Sequence, residues 1–498
     1  MSSQGQSLTQ KTASGVAWSA VFQITRQLCS FASVTVLARF VPPSGYGLIA
    51  MAAIVTAFVD AVRDLGTSRA LVREPAVSER LLSSVFWLNL FTGILLTSAV
   101  AAVAYPAAAF FHEPKLIPVM QVLSLIFLFS SSSVVHYTLL NRDMDFRSLM
   151  LSNLAGAVIG AVSAIAAALL GAGVWSLVVG NLMVFFVPSV GFWLACSWRP
   201  QWLFDWKEIR SIGMFSLNAS GFSLVNYFST NMDNLLVGKF IGDSALGLYQ
   251  MSYTLMTYPI DRISFLIASA LMPAFSSIQN DHIRFRSSFS RACALVAMVT
   301  FPAMLGLAVL AGPFIDVVLG SRWHPVAPLL LIFAPLGMFQ SISLLARLIY
   351  YAKGRSDWLL RWSLFCGVLY VASFVIGIRW GIGGVAAAYA ITWMLLMIPG
   401  FSIPFRLIGL SWREFLAPMW PVIQITLLMT LASAAWRVLL TRLGIHHPAV
   451  HLFSTAAVGC AVYIGLFLLL RPAILYELAR ILKGRGYSFL ARLLAHSA

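Results

Sequence analysis

Residues Ala38–Met51, ARFVPPSGYGLIAM, return two hundred positions later as Gly238–Met251, GKFIGDSALGLYQM. Without a gap, Arg39 aligns with Lys239, Phe40 with Phe240, Ser44 with Ser244, Gly47 with Gly247, Leu48 with Leu248 and Met51 with Met251. Each copy joins two long apolar runs, so the repeated unit is a helical hairpin and the chain folds as two related halves. The match continues beyond the hairpin. Tyr105–Pro118 aligns with Gly312–Pro325 at an offset of 207, which places Pro106 on Pro313, Lys115 on Arg322 and Pro118 on Pro325. At an offset of 211, Arg142 meets Lys353, Gly173-Val174 meets Gly384-Val385, and Pro188 meets Pro399. These matches fall in loops and at prolines rather than in Leu/Val runs, so shared low complexity does not produce them. Six helices repeating as six keep one orientation, which puts the pseudo-twofold axis along a membrane normal and a binding site between two lobes.

The apolar runs are about 20 residues long, the length a helix needs to cross a bilayer. The chain is 60% hydrophobic and 10% charged, whereas a soluble domain carries about 25% charged residues. The fold class is therefore an all-α polytopic membrane protein. The runs are continuous rather than short and alternating, which excludes a membrane β-barrel. Fourteen helices are predicted, over 12–38, 44–66, 81–105, 115–139, 148–170, 173–197, 211–240, 244–269, 288–312, 325–350, 357–378, 381–405, 416–440 and 450–471. The domain reading is a six-helix lobe over 1–205, a second over 206–410, helices 13 and 14 over 411–471, and a tail over 472–498. In the tail Ile474, Leu475, Leu478, Ile481 and Leu482 share a helical stripe beside Arg480, Lys483 and Arg485. That suits an amphipathic helix on an anionic inner leaflet, although a solvated tail gives the same pattern.

The net charge of +16 is read through loop positions, not as a sign of nucleic-acid binding. With the N-terminus inside, inner segments hold 23 Lys and Arg, outer segments 7, and spans 3. This asymmetry places both termini in the cytoplasm. Five scattered cysteines, Cys29, Cys196, Cys293, Cys366 and Cys460, form no CxxC pair and read as small apolar residues rather than metal ligands or disulfides. The first apolar segment has no small-residue cleavage site and is expected to stay as a span. Trp198, Trp202 and Trp206 cluster at an expected inner interface as an aromatic belt.

Function is expected on a polar stripe. Helix 1 carries Ser19, Gln23, Arg26, Gln27, Ser30 and Ser33 on one face. Arg26 is near mid-span, where a cation facing lipid costs several kcal/mol, so it should face protein or a watery cavity. At offset 200, helix 7 carries Ser223, Asn226, Thr230, Asp233 and Asn234. An Arg fork donates two parallel hydrogen bonds to a phosphate. Arg26 with Gln23, Gln27, Ser30, Asn226 and Thr230 is therefore the candidate site for a pyrophosphate and sugar hydroxyls. Asp233 is a candidate ion-coupling carboxylate. Asp60, Arg63 and Asp64 of helix 2, and Asp261 and Arg262 of helix 8, form matched clusters near the inner end. They suit a gate or a head-group site, and equally a salt bridge. Arg347 and Arg361 flank the helix 10–11 loop, and the preferred reading makes them positive-inside anchors. No HExxH, GxxxxGK[ST] or paired-carboxylate loop is present. Metal and cofactor chemistry is not expected, and the driving force is left open between a proton or sodium gradient, membrane potential and product consumption.

ALVREPAVSERLLSSVFWLNL (Ala70–Leu90), LLNRDMDFRSL (Leu139–Leu149) and NMDNLLVGKFIGDSALGLYQMSYTL (Asn231–Leu255) resemble the polysaccharide-transporter branch of the multidrug/oligosaccharidyl-lipid/polysaccharide exporter superfamily, and within it Wzx-type flippases. The resemblance spans nearly the whole chain. It implies two six-helix lobes of MATE-like fold, a cation-lined central cavity and alternating access. It also implies transfer of an undecaprenyl-diphosphate-linked oligosaccharide from the cytoplasmic to the periplasmic leaflet of a bacterial inner membrane. Membrane lipids and a polysaccharide polymerase and co-polymerase are the further partners it suggests. Two other readings stay open. A cation-coupled drug or metabolite antiporter would need an acidic cavity, for which Asp233 leaves room. A membrane enzyme of lipid-linked sugar polymerisation would need a long outer loop bearing acids, and the loop Arg39–Ser44 is short and has none.

Overall fold

The computed structural model describes residues 25–27, 29–63, 71, 77–206, 231–260, 271, 275 and 277–470, with the backbone alone at 58 and 60–63. The tail over 472–498 and most of predicted helix 7 lie outside them. Among the described residues every predicted span contains helix, and no strand occurs. The helices are α1 (25–27 and 29–40), α2 (Pro43–Arg63), α3 (Glu79–Phe111), α4 (Leu116–Arg142), α5 (Phe146–Leu169), α6 (Val174–Ala195), α7 (231–240), α8 (Asp243–Pro259), α9 (His282–Val318), α10 (Val326–Ala352), α11 (Ser356–Gly377), α12 (Gly381–Ile408), α13 (Trp420–Arg442) and α14 (Pro448–Leu470). The spans expose large apolar side chains, such as Phe91, Leu95, Leu395 and Leu431. A surface of that kind is stable against lipid, not water. The chain is a multi-pass membrane protein.

Capping sets several boundaries. Ser78 accepts from the Leu81 amide at 3.1 Å and starts α3, and Asp145 accepts from Ser148 at 3.1 Å and starts α5. Ser411 and Glu414 form a capping box on the short helix Trp412–Leu416, where the hydrogen bonds from Ser411 pull the exposed Glu414 carboxyl below its usual range.

The chain forms two compact units, 1–247 and 248–498. In the first, α5 meets α6 along a seam of small residues spaced by four: Gly156, Gly160, Ala164 and Ala168, all buried. A Cβ on Gly160 would lie 2.7 Å from Val184 Cγ2 and 3.0 Å from the Gly180 carbonyl. Between membrane helices lipid is as apolar as the partner, so close backbone approach rather than hydrophobicity drives packing. Helix α4 breaks at Ser124. Thr97 of α3 donates to the Ser124 carbonyl at 3.1 Å, a second bond beside the one this carbonyl accepts from the Phe127 amide at 3.0 Å, and so ties α3 to α4. Ser133 and Ser189 add a buried hydroxyl pair at 3.1 Å between α4 and α6.

The two repeated hairpins touch within this unit. A Cβ on Gly47 would fall on the Asp243 carbonyl, and a Cβ on Gly247 would fall on the Pro43 carbonyl and lie 3.0 Å from the Gly47 amide nitrogen. Pro43 and Asp243 are themselves aligned at offset 200. The contact is thus reciprocal, as a local twofold requires, and only glycine fits at its two centres.

The second unit is built on an aromatic core. Phe289 of α9, Phe405 of α12 and Phe415 of the short helix are buried together, with the rings of Phe405 and Phe415 4.8 Å apart. Thr300 and Ser341 share a buried hydrogen bond of 2.8 Å between α9 and α10. Tyr463 of α14 donates to the Met298 carbonyl of α9 at 2.6 Å, and Arg437 of α13 donates to the Val309 carbonyl.

Candidate functional site

The α1 stripe begins the site. Arg26 and Ser30, one helical turn apart, are exposed, and Gln27 beside them is half-buried. The Gln27 side-chain oxygen and nitrogen are both shielded from solvent with no hydrogen-bond partner among the described residues. An unsatisfied buried amide costs about 1–3 kcal/mol, so this position is suited to a polar guest. Ser33 and Thr35, further along α1, also hold shielded hydroxyls without partners among the described residues. In α7, Asp233 is buried, 6% exposed, and one carboxylate oxygen accepts from the Asn234 amide at 2.8 Å. Gln23, Asn226, Thr230, Asp64, Asp261 and Arg262 lie outside the described residues, as do the side chains of Asp60 and Arg63.

At the Gly47–Gly247 crossing the loops carry charge. Lys239 donates to the Phe110 carbonyl at 2.5 Å with its ammonium 4.6 Å from the Phe110 ring centre. Burial, then the nearby Asp243 carboxylate, push the Glu113 carboxyl above its usual range, while Lys115 pulls it back. Neither acid stood out in the sequence, because they meet only when α3 and α8 are placed.

At the other end of the first unit, Trp202 is 88% exposed and stacks on Trp87 at 4.3 Å, with Trp206 exposed nearby. Trp198 donates to Glu79 at 2.8 Å and joins Phe86, Trp193 and the buried His136 in an aromatic cluster. Amphipathic rings with polar tips suit a membrane interface. In the second unit an apolar groove of about 770 Å³ runs between α9, α13 and α14, lined by Met298, Pro302, Gly306, Met429, Gly459 and Tyr463 among others.

A family model described as "Polysaccharide biosynthesis protein" matches residues 36–328, more than half of the chain. The chain belongs to this family. Among polysaccharide biosynthesis proteins it is 24% identical to the lipopolysaccharide biosynthesis protein WzxC of Escherichia coli (strain K12), over 87% of this chain and 89% of that one. It is 26% identical to the succinoglycan biosynthesis transport protein ExoT of Rhizobium meliloti (strain 1021), over 94% and 95%. Its fold is that of the lipid II flippase MurJ in an inward closed conformation, with a TM-score of 0.71 at 15% identity, over 91% of this chain and 98% of that structure. The sequence resemblance to polysaccharide exporters and the expected transporter fold both hold.

Proposed function

We propose that the protein is a flippase that moves an undecaprenyl-diphosphate-linked oligosaccharide from the cytoplasmic to the periplasmic leaflet of a bacterial inner membrane, by alternating access and without covalent chemistry. The observation that carries this reading is Arg26, an exposed cation inside an apolar span of a polysaccharide biosynthesis protein with a flippase fold. The diphosphate and sugar cannot cross hydrocarbon unaided, whereas a guanidinium fork with a neighbouring amide and hydroxyl replaces their hydration. Arg26 takes the diphosphate; Gln23, Gln27, Ser30, Asn226 and Thr230 take sugar hydroxyls. The groove beside α14 has the dryness that a lipid chain prefers. Asp233 is the coupling carboxylate. Asp60, Arg63, Asp64, Asp261 and Arg262 form the inner gate, and 1–205 and 206–410 are the moving lobes. An anionic cargo leaving the cytoplasm moves with the inside-negative potential.

The test is a deletion strain of the source bacterium, from which lipid-linked oligosaccharides are extracted and assigned to a leaflet. Intermediates held in the inner leaflet, with surface polysaccharide lost, are expected. Complementation by Arg26→Ala should fail at normal protein level, and Arg26→Lys should restore part of it. Unchanged polysaccharide and no trapped intermediate, in a strain with no second flippase gene, would instead favour a small-molecule antiporter.

A further inference from the structure

Helix α9 carries two prolines in its interior, Pro302 and Pro313. A proline has no amide hydrogen, so each leaves the carbonyl four residues earlier without its helical donor. Those carbonyls belong to Met298 and Val309. Both are taken by side chains of the last two spans. The Tyr463 hydroxyl of α14 donates to the Met298 carbonyl at 2.6 Å, and the half-buried Arg437 of α13 donates to the Val309 carbonyl. Inside hydrocarbon a freed carbonyl finds no water, so a neighbouring helix is the natural source of the donor. Prolines also interrupt α3, α6, α10 and α12, yet among the described residues none of the carbonyls they free accepts from a side chain. The repeat sharpens the contrast. Pro313 aligns with Pro106, but at the same offset Pro302 aligns with the exposed Leu95, and the matched positions end in α12. The first half thus has neither a proline at the place of Pro302 nor helices at the place of α13 and α14. The two sides of Pro302 are also held differently. Before it, Phe285, Phe289 and Phe301 are buried in the aromatic core, and Thr300 bonds Ser341 of α10 at 2.8 Å. After it, Gly306, Leu307 and Leu310 line the apolar groove of about 770 Å³ that Cys460 and Tyr463 of α14 also line. A proline bend with one side fixed and the other bordering a groove is built as a hinge.

We propose that α13 and α14 are a clamp on this hinge. Tyr463 and Arg437 hold α9 at its two bends, and release of the Tyr463 hydroxyl lets the part of α9 after Pro302 swing into the groove and narrow it. The last two helices thereby set which shape of α9 the second unit adopts. The inference needs no particular cargo and stands apart from the flippase reading.

The experiment is hydrogen–deuterium exchange, resolved by peptide, on the purified full chain in detergent, together with maleimide labelling of Cys460, the exposed cysteine of the groove. Tyr463→Phe keeps the ring and removes only the donor. It should speed exchange of the amides in 303–310 by at least about fivefold, because a buried carbonyl that loses its donor weakens the local closed state. Exchange in 285–297 should stay unchanged, and labelling of Cys460 should slow. Pro302→Ala returns an amide hydrogen to the Met298 carbonyl, so in that background Tyr463→Phe should alter neither readout. Arg437→Met should speed exchange around Pro313 and lose that effect with Pro313→Ala. If Arg437→Met does not fold, the Tyr463 and Pro302 variants decide. Unchanged exchange after Pro302, faster exchange along the whole chain, unchanged labelling of Cys460, or an effect of Tyr463→Phe that survives Pro302→Ala would each overturn the clamp. No transport is read, so this result and that of the deletion strain stand or fall separately.

Discussion

Glu113 shows how a single residue takes its properties from a distant one. It follows α3 in a loop, and Asp243, from the other copy of the repeat, raises its proton affinity together with burial. A carboxyl whose affinity is raised by folding contributes stability that is complete below its unfolded pKa and is lost as pH rises through the folded one. The thermal midpoint of the purified protein should therefore decline as pH rises above the ordinary glutamate range, and Glu113→Gln should remove that part of the decline. Parallel pH profiles for wild type and variant would show that the pair does not matter. The sequence displayed Glu113 and Asp243 only as isolated loop acids. Arg26 was legible because a lone cation in an apolar run is anomalous wherever the run packs.

Among helices, hydropathy alone located most of the described spans to within a few residues, because hydrocarbon thickness sets their length, whereas α3 and α9 run six residues past a predicted end. It gave no sign of the break at Ser124, which falls inside one span, Leu116–Arg142, long and apolar enough to cross a membrane. The close approaches are legible in part: the four-residue spacing of Gly156, Gly160, Ala164 and Ala168 is visible, but the partner it meets on α6 is not. At the crossing of α2 and α8, added methyl groups meet backbone that cannot yield. Gly47→Ala and Gly247→Ala should each cost about 1–3 kcal/mol. The double variant should cost less than the sum, since both substitutions press on one contact. Gly306→Ala, where a Cβ meets nothing within 4 Å, is the neutral control. Unfolding in detergent reads all four; additive losses, or a loss at Gly306 equal to that at Gly47, would refute the reciprocal packing.

For the molecule as a whole, the repeat and the charge asymmetry carry different information. The repeat announces twofold organisation, and the family match and fold agree with a transporter built that way. The charge asymmetry of 23 to 7 is the basis for the proposed orientation, with both termini in the cytoplasm. A reporter fused after Ala498 should be active only in its cytoplasmic form; activity of a periplasmic reporter there would invert the orientation and with it the assignment of inner and outer ends. What the cargo looks like was not legible from composition, because neutral polar side chains that could line a cavity differ little from ordinary span residues.

The crossing of Gly47 and Gly247 has a consequence for how such a chain can change over generations. After a duplication, paired copies normally drift apart, each substitution in one half being invisible to the other. Here the carbonyl of each copy occupies the space a side chain would need on its counterpart. Divergence is free along most of the two hairpins but is held in step at this point, where neither copy can acquire even a methyl group without the other giving way.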